Sequence, residues 1–295
     1  NITDMYFVSR LGTVSLAAIS FTFPVVLVIN SLGIGLGIGA SALISVTIGE
    51  GDHHKVQRLT TDAMFLAISM IGFLAVIGYF TIEPLFTLLG AEEEILPLIK
   101  QYMKIWYCGM PLVVVTMVGN HSIRATGDTY TPSMIMLVSV CVNIILDPIF
   151  IFGWGPFPKM GVAGAALTTV FSRAVLFLTS SWILYHREKM ITFEKISLNE
   201  IWSSWKRILY IGIPTAGSRM IIPISTGIIT GLIATYGTPA VAAYGVASRI
   251  EFFAFAIFRS ISVVIASVIG QNLGAKRIDR LKEGIKFSRR FILLY

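Results

Sequence analysis

Uncharged, mostly apolar stretches recur along the whole chain. No Asp, Glu, Lys or Arg occurs in residues 11–49, 63–82, 105–123, 129–146 or 220–248. An α-helix needs about 20 consecutive apolar residues to cross the hydrocarbon core of a bilayer. One such stretch could be the buried helix of a soluble protein, but a regular series of them exceeds what a soluble core of this chain length can bury. The pattern predicts an all-α, polytopic membrane protein and excludes a soluble enzyme or nucleic-acid module.

Turn residues and charges divide these stretches into nine predicted spans. The chain begins inside span 1, which ends near residue 11, and span 9 begins near residue 284. The predicted spans between them cover residues 15–46, 61–82, 96–120, 131–152, 161–185, 208–235 and 240–271. Glycines mark several of the breaks, as expected of tight turns: Gly12, Gly127, Gly153 and Gly237. We expect a fragment that covers part of span 1 to the start of span 9.

The charges that remain lie in alternate loops and orient the spans. Only 13% of the residues are charged, against about 25% in an average soluble domain. Most of the net charge of +7 lies in loops 2–3, 4–5, 6–7 and 8–9, which contain Lys55, Arg124, Arg187 and Arg280. Loop 3–4 instead carries three glutamates at 92–94. The positive-inside rule therefore places the first set of loops and the N-terminus in the cytoplasm.

An internal repeat relates the two ends of the chain. A shift of 225 residues places Gly12-Thr13 on Gly237-Thr238 and Gly49 on Gly274, without a gap. Span 7 then repeats span 1, and six spans per repeat make both copies enter the membrane from the same side. A parallel repeat of this kind is a transporter architecture. We predict a twelve-helix, two-lobe parallel-repeat fold, of which this chain holds the N-lobe (1–185), a cytoplasmic inter-lobe linker (186–207) and the start of the C-lobe (208–295).

Several motifs resemble the multidrug and toxic-compound extrusion (MATE) transporters, in particular their prokaryotic branch. They lie at Asn1–Asp4, Ile123–Asp128, Asn143–Phe150 and Gly161–Ala166. The resemblance runs along essentially the whole chain. It implies a secondary active antiporter, not an enzyme, that exports organic cations or drug-like molecules in exchange for H⁺ or Na⁺. We expect a monomer in the lipid of a prokaryotic cytoplasmic (inner) membrane, with no cofactor and no nucleic-acid partner.

Two acidic residues fall inside predicted spans, where an ionisable side chain costs at least about 2.5–3.5 kcal/mol. Asp4 precedes the turn at Gly12 by two helical turns, and Asp147 precedes Gly153 by fewer than two. Both carboxylates are thus expected about 9–12 Å below the outer helix ends. Asn143 lies one turn before Asp147 on the same face. Together these groups could bind a cation, or the two acids could share one proton.

The resemblance assigns the coupling-ion site to Asp4, Asn143 and Asp147, and Na⁺ is the metal ion that it implies there. Thr168 and Thr169 are possible additional ligands, because Ala165 stands where some relatives have a hydroxyl group. Glu251 is a possible secondary site in the C-lobe. The alternative interpretation is that Asp4 and Asp147 only pair with arginines and hold helices together.

Four arginines also fall inside predicted spans: Arg173, Arg219, Arg249 and Arg259. They could neutralise the buried acids. They could also form the cationic cavity of a flippase for lipid-linked oligosaccharides or peptidoglycan precursors, which is the main alternative function. A seven-helix receptor is a third possibility, but neither the repeat nor the ninth span fits that architecture.

Overall fold

The computed structural model describes residues 2–154, 157–194, 197–235, 243–244, 247–248, 250–251 and 254–294. Within these ranges the regular structure is entirely helical. The helices are α1 (Ile2–Ser9), α2 (Thr13–Glu50), α3 (His53–Phe80), α4 (Ile82–Leu88), α5 (Leu96–Ala125), α6 (Tyr130–Phe152), α7 (Val162–Trp182), α8 (Leu198–Ala234), α9 (Ala256–Gly274) and α10 (Ile278–Leu294). One π-helical turn, Ile183–Arg187, extends α7.

Six helices in the described part of the chain are long and apolar enough to cross a membrane. They are α2, α3, α5, α6, α7 and α8, and they correspond to predicted spans 2 to 7. Predicted span 8 (240–271) lies partly outside the described residues, and its described end belongs to α9. The short helix α4 has no predicted counterpart; it follows α3 and buries Ile82 and Phe86. The all-helical membrane fold is confirmed.

The helices extend beyond the apolar stretches at their polar ends. α3 begins at His53 and not at residue 61, because the side chain of Asp52 accepts a hydrogen bond from the Lys55 amide at 3.0 Å and caps the helix. α8 begins at Leu198 and not at residue 208. Apolar composition marks the part of a helix that meets lipid, and polar turns outside it add no such signal. Residues 198–207 of the predicted linker are therefore the first turns of α8.

The remainder of the linker packs on the first turns of α3. Gln57 donates its side-chain amide hydrogen to the carbonyl of Lys189 at 2.8 Å. The indole of Trp205, in α8, donates to the carbonyl of Asp62 at 3.0 Å. The first bond attaches the segment between α7 and α8, and the second attaches the start of α8, to a helix of the predicted N-lobe.

α2 is the central helix, and it packs against α3, α5, α8 and α9. Its glycines let α8 approach closely. A Cβ atom added to Gly39 would lie 3.1 Å from the Gly212 nitrogen, and one added to Gly212 would lie 3.1 Å from the Gly35 carbonyl oxygen. The two backbones therefore touch where they cross, as small residues permit in membrane helices.

α2 and α9 cross at equivalent positions of the predicted repeat. A Cβ atom added to Gly49 would lie 2.9 Å from the Ala275 nitrogen, and one added to Gly274 would lie 3.0 Å from the Glu50 nitrogen. The shift of 225 residues converts each contact into the other. Reciprocal contacts between equivalent residues are the geometry of a two-fold axis. The crossing therefore supports a parallel repeat that the sequence identity alone supports only weakly.

Candidate ion-coupling site

Glycine turns end the two helices that carry Asp4 and Asp147, and they place these acids at the same depth. Gly12, with φ +115°, forms the turn between α1 and α2, and Gly153, with φ +77°, ends α6. α1 packs against α6 and α7. Asp147 is fully buried and Asp4 is 8% exposed.

The carboxyl groups of Asp4 and Asp147 lie in contact with one another, and Tyr102 lines the cavity beside Asp4, within electrostatic range of both acids. Among the described residues, none donates a hydrogen bond to either carboxylate oxygen of Asp147. The hydroxyl group of Thr168 lies beside Asp147. It donates its own hydrogen to the Gly164 carbonyl at 3.0 Å, so its oxygen lone pairs are what it offers to a bound ion.

α6 adds two further polar groups one turn from Asp147. Asn143 is buried, and its side-chain nitrogen has no acceptor among the described residues. Pro148 lies inside α6 and has no amide hydrogen, so the carbonyl of Ile144 lacks its usual helical donor. An amide group and a carbonyl oxygen without its helical donor thus both lie within about one helical turn of Asp147 along α6.

A cavity of about 320 Å³ lies next to the acid pair. Its polar lining consists of Asp4, Thr22, Asn30, Tyr102, Thr169 and Arg173. The positive charge of Arg173 acts on Asp4, in agreement with the interpretation that this arginine neutralises an acid. Sequence reasoning missed Tyr102, although a tyrosine in the middle of a span is an amphipathic residue whose hydroxyl group needs a partner.

The remaining candidates lie elsewhere. Glu251 is exposed and does not line the cavity beside Asp4. Arg219 lines a different cavity, together with Arg124 and His121. Arg249 and the side chain of Arg259 lie outside the described residues. Arg173 and Arg219 line separate cavities, so these two arginines do not form the single cationic cavity that the alternative flippase function requires.

The acid pair and the oxygen atoms around it can bind a proton or a small cation. Two buried carboxylates in contact repel each other when both are ionised, so one proton or one cation stabilises the pair. Carboxylate, amide, carbonyl and hydroxyl oxygens are all suitable ligands for a hard cation such as Na⁺. The site can therefore exchange a small cation with the adjoining cavity.

Comparison with known proteins identifies the family. The MatE family model matches residues 1–149 and 214–295. The chain is 40% identical to a FAD transporter of Shewanella oneidensis, over 100% of this chain and 65% of that protein. It is 30% identical to the multidrug export protein MepA of Staphylococcus aureus, over 97% of this chain and 62% of that protein.

Solved structures agree with the family model. The MATE transporter VcmN of Vibrio cholerae, in its bent form, has 31% sequence identity and a TM-score of 0.89, over 99% of this chain and 65% of that chain. This chain thus spans 62% to 65% of the length of these relatives. From the family model, the relatives and the shared fold together, the chain belongs to the MatE family of membrane transporters.

Proposed function

We propose that the protein is a secondary active antiporter that exports organic molecules in exchange for H⁺ or Na⁺. The observation that carries the proposal is the buried contact between Asp4 and Asp147 beside a cavity. Asn143, Thr168 and Thr169 complete the ion site. Glu251 is exposed, and nothing in the structure favours it as a second site.

The proposed cycle follows from the charge of the acid pair. A bound proton or Na⁺ neutralises the pair and stabilises the packing of α1 on α6. Loss of that ion leaves repelling carboxylates, which favours a different arrangement of these helices. An ion gradient can then drive substrate movement, because any ligand with different affinity for two states shifts their populations.

Drug-like organic cations are the first candidate substrates. The multidrug export protein MepA, a relative, supports them, and the carboxylate of Asp4 in the cavity could attract a cation. FAD is the second candidate, because the 40% identical relative that spans the whole chain is named a FAD transporter. The two substrates differ in charge, so transport assays can separate them.

We also propose a location and a sidedness. The protein lies in a prokaryotic cytoplasmic membrane, with loops 2–3, 4–5, 6–7 and 8–9 in the cytoplasm. The basic residues of these loops support this orientation. The hydrogen bond between His54 and Glu194 at 2.7 Å supports placing loop 2–3 and the polar segment between α7 and α8 on the same side of the membrane.

Transport by everted membrane vesicles tests the proposal. Vesicles that contain the protein in its full natural length receive ethidium or FAD, and then a proton gradient or a Na⁺ pulse. We expect one gradient to drive uptake of at least one substrate, and Asp147→Asn to abolish that uptake. Asp62→Asn is the matched control, since Asp62 is another buried acid but lies on α3, outside the site. Absence of uptake under either gradient, for both substrates, would contradict the proposal.

A further inference from the structure

A second, larger cavity lies between the helices of the predicted lobes. It has a volume of about 590 Å³ and is formed by α2 and α5 on one side and by α8 and α9 on the other. This volume is within the range of small-molecule sites, about 300–1,000 Å³. It is separate from the cavity beside Asp4, with which it shares no lining residue.

The charge of this inter-lobe cavity is entirely positive among the residues that line it. Arg124 comes from the last turn of α5, His121 from one turn earlier, and Arg219 from the middle of α8. Aspartate and glutamate are absent from the described lining. The ion pairs found among the described residues involve neither Arg124 nor Arg219.

Among the described residues, the hydrogen-bond contact of Arg124 is weak. Its guanidinium donates to the sulfur of Met136 at 3.9 Å, and a thioether is a poor acceptor. The other donors of this guanidinium remain available to the cavity. His121 lines the same cavity as the two arginines, so the three side chains form one cluster.

Two guanidinium groups that line one cavity, with no acidic residue in its described lining, repel each other. A bound anion would stabilise them. Guanidinium presents a planar fork of N–H donors that matches the oxygens of phosphate, so arginine is the preferred residue for phosphate recognition. The aliphatic residues Ile34, Ile38 and Val263 complete the lining and could contact the apolar part of an organic ligand.

We propose that the inter-lobe cavity binds the phosphate or diphosphate group of an organic substrate through Arg124 and Arg219. This proposal rests on the proposed transport function and extends it by a substrate class. The positive cluster repels organic cations and attracts phosphate esters. A soluble dinucleotide and a lipid-linked diphosphate both carry the required group.

Three flavins separate the contribution of the phosphate from that of the ring. Riboflavin has no phosphate, FMN has one and FAD has a diphosphate, and all three share the same fluorescent ring. Binding is measured by fluorescence anisotropy on the purified protein of full natural length, in nanodiscs of uncharged lipid. We expect FAD to bind at least tenfold more tightly than riboflavin, and increasing salt to weaken FAD binding, because salt screens charge interactions.

Variants locate the site. Arg124→Gln and Arg219→Gln should each weaken FAD binding about tenfold and leave riboflavin binding unchanged. Arg219→Lys should recover part of the loss, since it restores the charge but not the fork. Arg207→Gln is the matched control, because Arg207 is an exposed arginine of α8 that does not line the cavity. Equal affinity for the three flavins, or equal loss in Arg207→Gln, would overturn the proposal.

Competition distinguishes the two sources of the phosphate. Inorganic pyrophosphate that displaces FAD supports a soluble substrate, and a polyprenyl diphosphate that alone displaces it supports a lipid-linked one. If neither competitor displaced FAD, the result would count against the site. The binding assay needs no ion gradient. FAD binding that depends on the two arginines, in a protein that shows no gradient-driven transport, would therefore refute only the antiport function. Gradient-driven transport in a protein whose FAD binding does not depend on the arginines would refute only the phosphate site.

Discussion

At the scale of single residues, the feature that most favours a functional site is the burial of Asp147. Asp147 is fully buried and has no hydrogen-bond donor among the described residues. A carboxylate kept in this state is destabilising, so its retention favours a functional role over a purely structural one. The sequence could predict Asp4, Asn143 and Asp147 because acids and amides interrupt apolar helices. It could not predict Tyr102, since only the packing of α5 brings its hydroxyl group to these acids.

Removal of the Tyr102 hydroxyl group should weaken ion binding. Tyr102 lines the cavity with Asp4 and lies within electrostatic range of both acids, and one hydrogen-bonding group typically contributes about 0.5–1.5 kcal/mol. We expect Tyr102→Phe to raise the half-maximal H⁺ or Na⁺ concentration for transport between about twofold and tenfold. The matched control is Tyr107→Phe, since Tyr107 is buried on the same helix but does not line the cavity. An unchanged ion dependence in Tyr102→Phe would show that this hydroxyl group plays no part.

Outside the membrane, Asp128 stabilises the loop between α5 and α6. It accepts hydrogen bonds from the Thr131 amide at 2.9 Å and from Arg187 at 3.0 Å. Burial alone would raise the pKa of Asp128, but these bonds and the charge of Arg187 outweigh burial and hold the pKa below its ordinary value of 3.8. A lowered folded-state pKa means that the carboxylate stabilises the fold above that ordinary value. The contribution is lost as the pH falls from there through the folded-state pKa.

Asp128→Asn should therefore reduce stability in a pH-dependent way. At pH 7 we expect a loss of about 1 kcal/mol in the free energy of unfolding, because Arg187 is partly exposed and its ion pair is screened. The difference from wild type should shrink as the pH falls below 3.8. Thermal unfolding of the detergent-solubilised protein at several pH values measures both effects. A difference that grows towards acid would contradict the assigned role.

At the scale of helices, glycines decide how closely the elements pack. The apolar pattern located the spans well, since it reports contact with lipid. It located the helix ends poorly, because α3 and α8 continue as polar helices beyond the bilayer. It also could not show which helices cross, and that is settled by backbone contacts such as those at Gly49 and Gly274.

A side chain at this crossing should separate α2 from α9. Gly49→Val and Gly274→Val each place atoms against the backbone of the other helix, and overpacking typically costs about 1–3 kcal/mol. We expect each variant to lower the melting temperature and to slow transport, with similar effects because the positions are equivalent in the repeat. Gly72→Ala on α3 is the control, since no atom lies within 4 Å of a Cβ there. Transport and stability equal to wild type in both variants would show that the helices can separate freely.

At the scale of the molecule, the fold holds two chemically different cavities. One adjoins the acid pair of α1 and α6, and the other carries the arginine cluster between α2, α5, α8 and α9. Ion exchange and substrate binding would then use separate places, linked by α2, which lines both. The sequence predicted the fold, and its ion site at Asp4, Asn143 and Asp147 stays a prediction. It could not show that Arg173 and Arg219 line different cavities, because linear order carries no information on which space a side chain enters.

The central claim is that Asp147 couples ion movement to substrate movement, and proteoliposomes test it most directly. Wild type and Asp147→Asn are compared in two assays, substrate binding at equilibrium and substrate accumulation driven by the ion gradient that drives wild type. The account predicts that Asp147→Asn binds substrate with nearly wild-type affinity but no longer accumulates it. Gradient-driven accumulation that persists in Asp147→Asn would contradict the account.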